Sequence, residues 1–197
     1  MQIDTDILIT WGAIIKRYKK GEMIFLEGND PLYYYQIIDG EVRMFNTNSD
    51  GKEYTQGIFH QGESFAEPVL FIGELYPASA ITMKESTIIK IPKEQFLKIL
   101  NEYPLFQMKL LKVFARRIYN KSITAREIVN NPPNVRIIGF LTYLKQKEGS
   151  PKERILIPYT RQEIANLTGL RVETVIRALM KMQKANRVEI KDHKLYF

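Results

Sequence analysis

Glu173 and Arg177 stand four residues apart, one helical turn, and therefore share a helix face. A guanidinium can pair bidentately with the O6/N7 edge of guanine, and a carboxylate can accept from the amino group of cytosine. From within a major groove the two together can read G·C pairs on either strand. They sit in Thr160-Arg161-Gln162-Glu163-Ile164-Ala165-Asn166-Leu167-Thr168-Gly169-Leu170-Arg171-Val172-Glu173-Thr174-Val175-Ile176-Arg177-Ala178-Leu179, whose small, glycine and apolar positions predict a helix-turn-helix. Thr160 caps the first helix, and Glu163 three residues on completes a capping box. Ala165 permits close helix approach, Gly169 supplies a left-handed turn, and Val175 and Leu179 face the core one turn apart. Thr160, Arg161 and Gln162, at a helix N-terminus, suit phosphate contacts that fix register without reading sequence, and Arg171 and Thr174 are assigned the same role. Arg187–Ile190 and Lys194–Phe197, around Asp192-His193, pattern as a hairpin wing whose Lys191 and Lys194 can touch the backbone.

The charge is distributed to match. Residues 1–131 hold 16 Lys+Arg against 16 Asp+Glu, while residues 132–197 hold 13 against 6, so the whole net charge of +7 lies in the segment with the motif. A compact basic module on a neutral body is suited to double-stranded DNA, because each cation placed on a phosphate releases condensed counterions.

The elements that must carry this module are legible upstream. From about residue 14 to 92, short aromatic and β-branched runs alternate with turns at Gly28, Asp39-Gly40, Gly51, Gly57, Gly62 and Gly73, predicting an antiparallel barrel or sandwich. Lys93–Tyr103 reads as a short helix, and Pro104 opens a long one that runs to about Asn130 without Gly or Pro. On it Leu111, Phe114, Ile118 and Ala125 fall at heptad-like spacing and are expected to form a dimer seam, while Phe106, Leu110 and Val113 face the barrel. Asn130-Asn131-Pro132-Pro133 ends the helix. A helix over 133–147, the polar loop Lys147–Arg154 and a strand Ile155–Pro158 lead into the motif. The expected organisation is 1–103, 104–131 and 132–197.

Several chemistries are excluded by composition. Zero cysteines remove disulfides, thiolate zinc sites, cysteine nucleophiles and cysteine-ligated iron–sulfur clusters. No apolar run approaches the roughly 18 residues of a membrane span, and Asp4 and Asp6 stand where a secretory signal needs basic residues, so a cytoplasmic protein without membrane partners is expected. A cupin-like metal enzyme would need clustered histidines, whereas His60 is the only histidine before the basic segment. No metal site and no catalytic residue are expected; His60 as an axial haem ligand stays open beside an ordinary loop role.

Across nearly its whole length the chain resembles the cyclic-AMP receptor protein/FNR superfamily of bacterial transcription regulators. The resemblance rests on the turns Lys20-Gly21-Glu22, Glu27-Gly28, Asp39-Gly40, Gly51 and Gln61-Gly62-Glu63, and on the segment from Gly169 to Arg177. It implies an α+β chain: an N-terminal antiparallel β-roll (a double-stranded β-helix of the cyclic-nucleotide-binding type), a long dimerisation helix and a C-terminal winged helix-turn-helix. It implies a homodimer on a pseudo-palindromic operator, with RNA polymerase as partner near Lys147–Arg154 and the Lys52 turn. The family's Glu-x-x-x-Arg pair, which reads a TGA-type core, falls on Glu173 and Arg177. Val172 stands where cyclic-AMP receptor proteins usually carry another base-reading arginine, so half-sites like TTGAT rather than TGTGA are implied. The family's phosphate cassette, Phe-Gly-Glu followed by Arg-Ser or Arg-Thr, is here Phe65-Ala66-Glu67-Pro68 and Ala78-Ser79. Without the arginine and the glycine, cyclic AMP is not expected as effector; Glu67 and Ser79 remain as candidate effector contacts, and no cofactor is assigned.

Overall fold

A computed structural model describes residues 3–130, 132–147 and 154–197, with the backbone alone over 124–130 and at 147. The chain divides into two compact units, Met1–Ile118 and Tyr119–Phe197.

The described residues of the first unit form eight strands: β1 (Ile14–Tyr18), β2 (Met23–Phe25), β3 (Tyr33–Asp39), β4 (Glu41–Thr47), β5 (Glu53–His60), β6 (Ser64–Phe65), β7 (Ser79–Thr82) and β8 (Ser86–Pro92). They pair antiparallel in two sheets, β1-β8-β3-β6 and β2-β7-β4-β5, the antiparallel arrangement that the spacing of turns predicts and the roll that the resemblance implies. Its helices are α1 (Thr5–Thr10), α2 (Pro68–Ile72), α3 (Lys93–Glu102) and α4 (Pro104–Asn130), the last running past the unit boundary. The near-continuous apolar runs of β3 and β8 follow from burial on both faces. Tyr35, Ile37 and Ile88 point into the roll with Phe25, Val42, Met44 and Phe65, whereas Tyr34, Ile89 and Ile91 point outward against Phe96, Ile99, Phe106 and Leu110.

Three features differ from the sequence expectation. Gly57 is not in a turn: it lies within β5 opposite Met44, where the register slips by one residue. Gly73 ends α2, a short helix that the pattern of strands conceals. At the N-terminus, α1 packs on the outer face, and the segment before it is tied down by the buried amide of Gln36. The Gln36 Oε1 accepts from the Ile3 N–H at 3.0 Å and from the Tyr34 hydroxyl at 2.9 Å, and its Nε2 donates to the Ile3 carbonyl at 2.9 Å.

The described residues of the second unit form α5 (Pro133–Lys147), β9 (Leu156–Ile157), α6 (Arg161–Thr168), α7 (Val172–Lys184), β10 (Glu189–Lys191) and β11 (Lys194–Tyr196). The strands pair in the order β10-β11-β9. One core, including Ile137, Leu141, Ile157, Ile164, Val175, Leu179 and Leu195, joins the helices to this small sheet.

The turn from β3 to β4 has no room for a side chain. Gly40 has φ +115°, and a Cβ built there would lie 2.6 Å from the Cα of Ser86 on β8, while Gly51, at φ +74°, faces open space. Gly40→Ala is expected to cost about 1–3 kcal/mol, more than Gly51→Ala, because an unfavourable backbone conformation and a backbone collision act together. Urea unfolding followed by Trp11 fluorescence measures both, and equal losses would contradict this account.

Candidate functional site

The helix-turn-helix is built as its residue types dictate. Thr160 caps α6 by accepting from the Glu163 N–H at 3.2 Å, and the Glu163 carboxylate accepts from the Thr160 N–H at 2.6 Å. Gly169 ends α6 at φ +65°, and both it and Leu170 direct their N–H groups to the Ala165 carbonyl. Arg136, on α5, donates to the Thr168 carbonyl at the same helix end. This sharp turn brings α6 against α7, with Ala165 fully buried between them.

One face of α7 is consumed by the core: Val175, Ala178, Leu179 and Met182 are buried. The other carries Glu173 and Arg177, both exposed and one turn apart at the N-terminal half of the helix. Among the described residues neither is engaged in a salt bridge, so carboxylate and guanidinium are both available to a base edge. Arg171 lies just before α7 and is exposed, and Thr174 is half-buried in its first turn. Arg161 and Gln162 occupy the first turn of α6, where Gln162 Nε2 also donates to Asn166 Oδ1 at 2.9 Å. Lys191 and Lys194 are paired across the β10–β11 hairpin, and the two turn residues between them, Asp192 and His193, both have positive φ, as a tight two-residue hairpin requires. All the predicted DNA-facing residues thus belong to one unit. Of the Lys147–Arg154 loop, residues 148–153 lie outside the described residues.

The roll interior is filled by rings. Phe25 stacks on Tyr76 with centroids 3.8 Å apart and on Phe65 at 6.2 Å, and Tyr35 stacks on Phe65 at 5.4 Å. Burial pushes the Tyr76 phenol up to about 12 and the Tyr35 phenol higher still. Ala78, at the position of the family's arginine, is completely buried. Ala66 adopts φ +62°, the left-handed conformation that a glycine takes at no steric cost.

The two candidate effector contacts are not brought together by any hydrogen bond, and each is occupied by its own chain. Ser79 Oγ accepts from the Glu27 N–H at 3.0 Å. Glu67 is fully buried, taking a hydrogen bond from Ser64 Oγ on one carboxylate oxygen and, on the other, one from Arg117 Nη1 at 2.9 Å. Arg117 Nη2 also donates to the Ser64 carbonyl at 2.6 Å, and its guanidinium lies 5.1 Å from the Phe59 ring centroid. Sequence reading passed over Arg117, although its position continues the inward row Phe106, Leu110 and Phe114 on α4.

On α4, Leu111 and Ile118 are exposed, as the seam expectation requires. Phe114 departs from it: it turns toward the roll, its ring edge-on to Phe71 at 6.0 Å, because the inward row needs an apolar residue there. The outward heptad row instead includes exposed Met108 and Ala115, spaced 3, 4 and 3 from Leu111 and Ile118. The side chain of Ala125 lies outside the described residues. His60, at the end of β5, has Nδ1 3.3 Å from Glu41, and its backbone N–H donates to Glu63 at 2.7 Å. Among the described residues no three His, Cys, Asp or Glu side chains converge to hold a metal ion, and no helix is long and apolar enough to cross a membrane.

Removing one partner of a buried ion pair strands the other charge. Arg117→Ala is expected to cost about 3–5 kcal/mol, and the double variant Glu67→Gln/Arg117→Met to recover most of it. Denaturant midpoints measure both; a near-neutral Arg117→Ala would show that the pair does not hold α4 to the roll.

Comparison with known proteins places this geometry. Residues 15–103 match the cyclic nucleotide-binding domain, and residues 135–196 match the Crp-like helix-turn-helix domain. The chain is 26% identical over 182 residues to the transcriptional activator protein FnrA of Stutzerimonas stutzeri, covering 89% of this chain and 74% of that one. It is also 26% identical over 173 residues to the cyclic AMP receptor protein of Thermus thermophilus, covering 88% and 78%. The c-di-GMP responsive global regulator CLP of Xanthomonas campestris shares the fold at TM-score 0.85 and 21% identity, covering 97% of this chain and 96% of that one. With both domains present in the order roll, long helix, winged helix-turn-helix, the chain belongs to the cyclic-AMP receptor protein/FNR family of transcription regulators.

Proposed function

We propose that this chain is a sequence-specific DNA-binding regulator that works in the cytoplasm as a homodimer on a pseudo-palindrome. The two α7 helices enter successive major grooves about 34 Å apart, one DNA turn. The observation that carries this reading is the division of α7: its core face is fully consumed, and the opposite face offers Glu173 and Arg177 with no competing ion pair among the described residues. The half-sites are TTGAT-like, since Val172 offers no donor where a further arginine would read a base. Thr160, Arg161, Gln162, Arg171, Thr174, Lys191 and Lys194 hold the backbone.

Residues 1–103 form the effector-type roll, 104–131 the dimerisation helix and 132–197 the DNA-binding domain, and RNA polymerase is the protein partner. The outward row of Met108, Leu111, Ala115 and Ile118 supports self-association along α4. Control by cyclic AMP is disfavoured by the stacked rings inside the roll, by buried Ala78 and by the engagement of Glu67 with Arg117. The role requires no catalytic group, metal or haem.

Arg177→Ala is expected to cost about 1–3 kcal/mol on a TTGAT-type duplex and to relax selectivity at one base pair, whereas Arg161→Ala weakens all duplexes alike. Fluorescence anisotropy on matched and shuffled duplexes measures this, and equal losses on both for Arg177→Ala would refute the base-reading role. Cyclic AMP is expected to leave the melting temperature unchanged, where a true ligand at roughly 100 times its dissociation constant would add about 2.7 kcal/mol. A clear thermal shift would reinstate it as effector.

A further inference from the structure

An open groove of about 540 Å³ runs between the start of α5 and the flank of α7. Asn134, Thr174, Arg177, Lys181 and Arg187 line it beside apolar Met182, and among the described residues no carboxylate does. Lys181 is one turn beyond Arg177, so the groove continues the row that starts with the base-facing pair. At its far end the Arg187 N–H donates to the Met182 carbonyl at 2.9 Å, which fixes the backbone of Arg187 at the close of α7. On the opposite wall the N–H groups of Val135 and Arg136 are both spent on the Pro132 carbonyl, and Pro133 has none.

We propose that this groove takes a phosphodiester segment of the duplex whose major groove receives α7, with Lys181 and Arg187 as two backbone contacts beyond those on α6 and the wing. The proposal rests on the DNA-binding reading and deepens it by naming what holds the far side of the recognition helix. Charge complementarity selects the occupant. Three exposed cations line one concave surface with no carboxylate among them, and the DNA backbone presents a phosphate about every 1.7 Å along its axis. Arg177 reaches the bases, so Lys181 and Arg187 are left to neutralise the bordering strand. Cations near a helix C-terminus also complement its dipole. Lys184 shares that setting, in the last turn of α7, but does not line the groove, and so separates the two roles.

The test is equilibrium binding of the full chain to a duplex of about four helical turns carrying two TTGAT half-sites, and to a shuffled duplex, between roughly 50 and 200 mM salt. For Lys181→Ala/Arg187→Ala the slope of log affinity against log salt is expected to become shallower by about two, with equal losses on both duplexes and an unchanged melting temperature. Lys184→Ala is expected to keep the wild-type slope, and Lys181→Arg/Arg187→Lys to restore it. A wild-type slope in the double alanine variant overturns the groove contact while leaving DNA binding intact. Equal flattening by Lys184→Ala also overturns it, showing diffuse charge instead. A wild-type chain with no salt-dependent affinity for either duplex overturns the DNA-binding reading and this proposal together.

Discussion

The burial of one side of α7 is the constraint on which the rest of the DNA-facing surface depends. Val175, Ala178, Leu179 and Met182 lock the helix into a core shared with α5, α6 and the small sheet. With its roll angle fixed, the direction of every exposed side chain on α7 follows from the helical period alone. Glu173, Arg177 and Lys181 therefore leave the helix along one exposed row. The turn at Gly169, secured by the capping box at one end of α6 and by Arg136 at the other, sets the approach of α6 that completes this core.

The interior of the roll combines stacked rings with one buried ion pair. Phe25, Tyr76 and Phe65 stack within it, and the fully buried carboxylate of Glu67 is satisfied by Ser64 and Arg117. The same ion pair fastens α4 to the roll, so the helix has an internal anchor besides the packing of Phe106, Leu110 and Phe114.

Much of this was legible in the sequence because it rests on local signals. The capping box of α6, the left-handed Gly169 and the inward Val175 and Leu179 are all set by residue type at fixed offsets, and the strands of the roll are punctuated by turn residues. What escaped depends on contacts between distant positions. Glu67 and Arg117 are 50 residues apart, and nothing near Glu67 indicates its partner. Gln36 meets Ile3 across 33 residues. Phe114 was assigned by spacing to the outward seam, but three overlapping apolar rows on one helix can be divided only when the neighbours are known. Gly57 resembles a turn signal, but it lies within β5 without a positive φ, where an added Cβ would come within 3.3 Å of the Phe59 ring.

Arg117 sits at the middle of α4, with thirteen helical residues on either side. It is the last ion-paired residue before α4 leaves the first unit at Ile118, and the helix continues to Asn130. At 1.5 Å per residue, α4 continues for about 20 Å beyond Arg117. The tie to Glu67 thus acts at the helix's midpoint, where its loss would leave a buried charge without its partner.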